Sequence, residues 1–303
     1  MDQLKVTKKN ETFLFIETDP GIEMELSEHF CFFVPGYKFM PAYRNKYWDG
    51  KIRLFDTRKK TLYVGLYKYL KQFALEREYE VLTDDSAQYG SVEPEKLPLD
   101  FGQAPVLTAN QIPITPRDYQ LDALEHALQN EKSLLLSPTA SGKSLIIYLA
   151  MRWFIENDPS MKILIIVPTI SLVEQMYSDF DDYSSTDEHF HADEYCRKIH
   201  GGTEKGQIFE RCVISTWQSI YKKPATWFQH FGMVIGDEAH QFKAKSLTAI
   251  MEKCTEAKYR IGTTGTLDGT QTHQLVLEGL FGPVHKVTTT KDLIDSDQLA
   301  KLD

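Results

Sequence analysis

Five apolar runs, SLLLSP, KILIIVPT, CVISTW, GMVIGDE and YRIGTTGT, follow one another after residue 113 and alternate with longer amphipathic stretches. A short run that stays apolar at successive positions predicts a strand buried on both faces. Such strands separated by helices predict a parallel, doubly wound sheet, hence an α/β fold. Ligands bind such sheets beyond the carboxyl ends of the strands. The first 83 residues read differently. ETFLFIETD alternates apolar and polar positions as a half-buried strand does, and HFCFFVPGY and DGKIRLFD are further strand candidates. GIEMELSEHF predicts a short helix entered after Asp19-Pro20, and Leu66, Leu70 and Phe73 fall on one face of a second helix. A small α+β domain over residues 1–83 is expected. Between 84 and 112 the periodicity fails in a stretch rich in Pro, Gly, Ser and acids, which reads as a linker.

Composition narrows the class. At 303 residues, 42% apolar and 25% charged, the chain suits a soluble globular protein of two or more domains. No apolar run reaches membrane-spanning length and the N-terminus lacks a signal-peptide core, so a cytoplasmic protein without a membrane partner is expected. Cys31, Cys196, Cys212 and Cys254 are widely spaced and read as reduced thiols. DEHFHADEYC, residues 187–196, lacks fixed metal-ligand spacing and reads as a solvated loop.

The net charge of −9 hides an asymmetry. Residues 34–72 hold ten basic residues and only two acids, Asp49 and Asp56. Nine aromatics are interleaved there: Tyr37, Phe39, Tyr43, Tyr47, Trp48, Phe55, Tyr63, Tyr67 and Tyr69. Cations neutralise phosphates and aromatic faces stack on unpaired bases, so this segment predicts nucleic-acid contact, with Arg44, Lys46, Lys51 and Arg53 as candidates.

The chemistry-bearing motifs follow the apolar runs. Ser137-Pro138-Thr139-Ala140-Ser141-Gly142-Lys143-Ser144 has the small residues whose backbone N–H groups can close on phosphate. Lys143 suits the β- and γ-phosphates and the Ser144 hydroxyl suits Mg²⁺. Serine stands at the first position, where the P-loop pattern has glycine. Asp237-Glu238-Ala239-His240 ends the fourth run. Asp237 would hold Mg²⁺ through water and Glu238 would polarise the attacking water. ATP and Mg²⁺ are the expected cofactors, with Lys143, Asp237 and Glu238 catalytic.

A P-loop followed by D-E-A-H resembles superfamily-2 helicases and translocases. TPRDYQLDAL is similar to that superfamily's adenine-recognition segment, which implies base or phosphate contacts for Arg117 and Gln120, beside Thr139, Ala140, Ser141, Gly142, Lys143 and Ser144 of the loop. VPTISLVEQ and STWQS resemble its strand-tracking motifs and imply backbone contacts from Thr169 and Thr216; Gly201-Gly202 is either a further strand contact or a plain turn. GTTGTL resembles motif III, which with His240 implies a coupling role for Thr264 and Thr266. YRNKYWDGKIRLFD ahead of a DEAH-type motor resembles the bacteriophage recombination-repair helicases.

The resemblance implies a first RecA-like lobe over residues 113–290, with 291–303 beginning the connection to a second lobe. It also implies an ATP-driven enzyme acting on branched or forked DNA in the host cytoplasm. A nucleotide-dependent DNA- or RNA-binding module without unwinding is the alternative, and the presence of Glu238 favours the enzyme.

Overall fold

A computed structural model describes residues 2–84, 99, 101, 104–201, 207–243, 245–267 and 269–295. The N-terminal part comprises β1 (Gln3–Lys8), β2 (Phe13–Glu17), α1 (Pro20–His29), β3 (Cys31–Phe33), α2 (Pro41–Arg44), β4 (Lys51–Arg53), β5 (Phe55–Asp56), β6 (Thr61–Tyr63), α3 (Tyr67–Glu76) and β7 (Glu80–Thr83). It is a five-stranded mixed sheet of order β5-β6-β2-β1-β7, with β3 and β4 paired separately. The Asp19 side chain caps α1 by accepting from the Gly21 N–H, and Pro20 fits the first turn, where no N–H is needed. Strand β1 and the short strands β6 and β7 lie outside the runs that the apolar pattern predicts.

A hairpin follows, β8 (Thr108–Ala109) and β9 (Ile112–Pro113). Asn110 and Gln111 both take positive φ, the geometry of a tight two-residue hairpin turn. This part of the stretch expected as a linker is fastened to the chain. The Asn110 N–H donates to the Asp182 carboxylate at 2.9 Å, and the Thr108 hydroxyl donates to the Asp182 carbonyl at 2.7 Å. Residues 85–98 of the same stretch lie outside the described residues.

The remaining elements are α4 (Asp118–Asn130), β10 (Lys132–Leu136), α5 (Lys143–Asn157), β11 (Lys162–Val167), α6 (Ile170–Tyr183), α7 (Ala192–Tyr195), β12 (Cys196–Ile199), β13 (Cys212–Thr216), α8 (Trp217–Ile220), α9 (Ala225–Phe228), β14 (Phe231–Asp237), α10 (Lys245–Lys253), β15 (Tyr259–Thr264), α11 (Gln271–Phe281), β16 (Val284–Lys286) and α12 (Thr290–Asp295). Seven parallel strands form one sheet of order β12-β13-β11-β14-β15-β10-β16. All five apolar runs are strands of it. Neighbouring residues serve opposite faces: Leu134, Leu164 and Val234 pack on one side, Leu135, Ile165 and Ile235 on the other. Helix α4 shares a core with α5 and α6 on the second side, and α10 and α11 cover the first. Among the described residues no helix is long and apolar enough to cross a membrane.

Part of the stretch 187–196 is core, not a solvated loop. Asp187 is buried in an ion pair with Arg152 of α5 at 2.7 Å, and Phe190 is buried beside it. The four cysteines are free thiols, three of them buried.

The core on the first face of the large sheet runs without a break into the N-terminal domain. Buried polar groups pin this seam. Arg260, at the start of β15, donates to the Thr12 hydroxyl at 2.9 Å and the Glu11 carbonyl at 3.2 Å. Lys132, at the start of β10, meets the Glu11 carboxylate at 2.7 Å. Burial would raise the Glu11 carboxyl, but the ammonium groups of Lys132 and Lys8 outweigh it and hold the group below its ordinary value. Burial pushes the Lys132 ammonium down to about 8 against the pull of Glu11. Tyr63 and Tyr69 donate to Glu252 of α10 at 2.6 Å and Glu278 of α11 at 2.7 Å.

The seam generates two predictions. A Cβ on Gly65 would lie 1.9 Å from the Glu278 carbonyl oxygen, which is backbone and cannot swing away. Gly65→Ala should therefore cost about 1–3 kcal/mol, read as a lower denaturant midpoint; an unchanged midpoint would contradict this packing. Glu11 contributes stability that is present above its unfolded pKa, near 4.5, and lost as pH falls through its lower folded value. Stability of Glu11→Gln should accordingly fall less steeply with acid than that of the parent, and equal acid slopes would sink the ion pair.

Candidate nucleotide cleft and nucleic-acid surfaces

The P-loop joins β10 to α5, so phosphate-binding residues sit at a strand's carboxyl end and a helix's N-terminus. Ala140 and Gly142 take positive φ, 67° and 77°, while Ser137 does not. Serine can therefore replace the usual glycine at 137. Its side chain points inward, 2.5 Å from the Ser141 hydroxyl, which donates to the Pro138 carbonyl at 2.7 Å. The loop is closed by these two serines. Gly142 cannot be replaced so easily, since a Cβ there would lie 2.3 Å from the Gln120 amide nitrogen. Helix α5 begins at Lys143 with no side-chain cap, and its first turn carries Lys143 and Ser144.

Strand order explains how the distant motifs meet. Strand β15 lies between β10 and β14. Its Thr263 hydroxyl donates to Asp237 at 2.7 Å, and its Thr264 carbonyl accepts from the Ser137 N–H at 2.9 Å. His240 Nδ1 lies 3.1 Å from the Thr264 hydroxyl and 3.3 Å from the Glu238 carboxylate, while Thr264 donates to the Thr266 carbonyl at 2.9 Å. Glu238 holds φ at 52°, a strained value for a side-chain-bearing residue that recurs at working sites.

A cleft of about 380 Å³ opens there, lined by Thr139, Ala140, Gly142, Lys143, Ser144, Asp237 and Glu238. The Ser144 hydroxyl and the Asp237 carboxylate are hard oxygen donors facing one space, the ligand type that Mg²⁺ takes. The opposite wall comes from α6 through Leu172, Gln175, Met176 and Asp179. Burial, with the nearby Asp182 carboxylate, raises the Asp179 carboxyl against a hydrogen bond from Ser144. Helical spacing from Thr169 could have revealed this wall, since 172, 175, 176 and 179 share one face.

The segment that resembles the adenine-recognition motif is bonded to the P-loop itself. Gln120 is buried, and its amide is already engaged: Nε2 donates to the Ser141 carbonyl at 2.9 Å and Oε1 accepts from the Arg117 N–H at 2.9 Å. Both bonds serve the loop and the cap of α4, so Gln120 buttresses the P-loop from behind. The Arg117 guanidinium donates to Tyr119, whose hydroxyl donates in turn to the Ser141 carbonyl. Neither Arg117 nor Gln120 lines the cleft. Ser141 contributes backbone only, its side chain being buried.

Thr216 ends β13 opposite Val167, the last residue of β11, and Thr169 follows two residues later as the cap of α6. They share a groove of about 550 Å³ with Pro168, Gly201, Gln218 and Ser219. Each hydroxyl also works locally. Thr169 caps α6 at Leu172, and Thr216 lies 2.9 Å from the Ser219 hydroxyl. Gly202 lies outside the described residues.

In the N-terminal domain the structure sorts the aromatics. Phe55, Tyr63 and Tyr67 are core. Tyr37 packs edge-on against Tyr43, and the Trp48 indole donates to the Lys51 carbonyl. Phe39 and Tyr47 stand out, 84% and 87% exposed. The cations divide similarly. Arg53 forms an ion pair with Asp49, Lys59 with Asp56 and Lys60 with Glu23. Lys51 lies over the Phe33 ring. Arg44 and Lys46 remain exposed beside Tyr47, and share a concavity with Tyr43 and Trp48.

Comparison with known proteins agrees with this geometry. Residues 3–84 match the family described as DNA helicase UvsW, N-terminal, and residues 113–269 match Type III restriction enzyme, res subunit. The chain is 34% identical, over 99% of its length, to the ATP-dependent DNA helicase uvsW of Enterobacteria phage T4, and spans 59% of that relative. It is 25% identical, over 72% of its length, to the DNA 3'-5' translocase XPB2 of Sulfurisphaera tokodaii, and spans 42% of that protein. The crystal structure of the UvsW helicase from bacteriophage T4 superposes with a TM-score of 0.83 at 32% identity, covering 94% of this chain and 99% of that one. With both segments matched in order and the solved structure alike throughout, the chain belongs to the UvsW family of superfamily-2 helicases.

Proposed function

We propose that this chain carries the DNA-binding domain (residues 1–83) and the first motor lobe (113–290) of an ATP-driven helicase that unwinds or remodels branched DNA. One observation carries the reading: Lys143, Ser144, Asp237 and Glu238, from two separate strand ends, line one cleft, and His240 links that cleft to Thr264. In this reading the P-loop backbone and Lys143 would hold the β- and γ-phosphates, while Ser144, and Asp237 through water, would hold Mg²⁺. Bound there, the ion would neutralise charge on the phosphates. Glu238 accepts a proton from the attacking water. The Thr169–Thr216 groove and the Arg44–Tyr47 surface take the DNA backbone and exposed bases. A second RecA-like lobe, closing over the cleft with an arginine, supplies transition-state stabilisation worth about 10³–10⁵ in rate in related P-loop enzymes.

Lys143→Ala should abolish ATP binding with no change in thermal midpoint. Glu238→Gln, in a protein carrying both lobes, should keep Mg·ATP binding and lower DNA-stimulated hydrolysis at least about 100-fold. Parent-like hydrolysis by that variant would remove Glu238 from the mechanism. For the DNA surface, reversing Arg44 and Lys46 to Glu should weaken binding to forked oligonucleotides of any sequence and reduce the salt slope by about 2. An unchanged slope would make the patch a solubilising face.

A further inference from the structure

The wall that α6 presents to the cleft contains more than packing. Asp179 and Tyr183 are four residues apart on one face of that helix. The Tyr183 hydroxyl lies 2.8 Å from Ser144 Oγ, and Asp179 lines the cleft beside the same hydroxyl. A serine has one proton and two lone pairs. When it gives a lone pair to a cation, its proton needs an acceptor on the other side. Tyr183 and Asp179 provide acceptor oxygens at that place. We infer that Tyr183 and Asp179 are positioning residues, which keep the Ser144 proton on the α6 side and so turn a lone pair toward Mg²⁺. The inference rests on the proposed Mg·ATP cleft.

The ring of Tyr183 also packs on Tyr148, centroids 5.5 Å apart, so a structural role has to be separated from a positioning one. Tyr183→Phe keeps the ring and removes the hydroxyl. The measurement is the affinity of the whole chain for a fluorescent ATP analogue, once with Mg²⁺ and once with EDTA. The ratio isolates the metal-dependent part. Partners that orient a metal ligand are worth about 10–100-fold in metal affinity, so Tyr183→Phe and Asp179→Ala should each lower the ratio about tenfold. The thermal midpoint should stay as in the parent, and Tyr183→Phe, whose ring is outside the cleft lining, should keep the parent's EDTA affinity. Ser144→Ala should lower the ratio by itself, and adding Tyr183→Phe to it should lower it no further, because both act through one hydroxyl.

An unchanged ratio in both single variants, losses that multiply in the double variant, or an equal fall with EDTA would each overturn the inference. Should Tyr183→Phe not fold, Asp179→Ala with Ser144→Ala makes the same comparison. A parent chain that binds no analogue in either condition removes the cleft reading itself, and the inference with it.

Discussion

Two neighbouring parallel strands, β10 and β15, are committed at both ends. At their starts Lys132 and Arg260 are buried against Glu11 and Thr12 of the N-terminal domain. At their ends the Ser137 N–H bonds the Thr264 carbonyl and Thr263 bonds Asp237, which ties the P-loop and the D-E-A-H segment together. Five residues of strand, about 17 Å, separate the two. A parallel sheet permits this because all its strands point one way, giving one end to ligands and leaving the other for docking. The seam is then a fixed base for the cleft. Its charges are costly to bury and are tolerated only because each has a partner within hydrogen-bonding distance.

The same constraint explains the layout of the motifs. Since β15 lies between β10 and β14, a threonine pair on it can touch the P-loop on one side and Asp237 on the other. Motifs about a hundred residues apart in the chain become adjacent by strand order alone. Two side-chain-bearing residues that hold positive φ, Ala140 and Glu238, line the cleft. Helix α6 adds a third connection: Thr169 at its start lines the groove beside Thr216, and Tyr183 at its end reaches Ser144.

Much of this was legible in the residues. Fully buried strands have no polar positions to blur the pattern, so Leu134–Leu136, Ile163–Val167 and Met233–Ile235 declare themselves. The P-loop and D-E-A-H are legible because their chemistry restricts residue type. Other features depend on partners distant in sequence. Edge strand β12 carries Arg197 and Lys198 and looks like a loop until it pairs with β13. The turn of the β8–β9 hairpin uses Asn-Gln, not the Asn-Gly that would advertise it. That the Gln120 amide bonds the Ser141 carbonyl of the P-loop depends on a contact 21 residues away in the chain. Arg53 likewise reads as an unpaired cation until Asp49 is seen beside it. No local signal separates Tyr47, exposed, from Tyr67, buried.

The central claim is that one end of the large sheet receives Mg·ATP while separate surfaces, on the first domain and across Thr169 and Thr216, receive DNA. Hydrogen–deuterium exchange with each ligand in turn tests it most directly. Mg·ATP should slow exchange over residues 137–145 and 237–240. A forked oligonucleotide should slow it over 38–51, 168–171 and 215–219. Protection by Mg·ATP confined to other segments, or DNA protection that spares both predicted surfaces, would contradict the account.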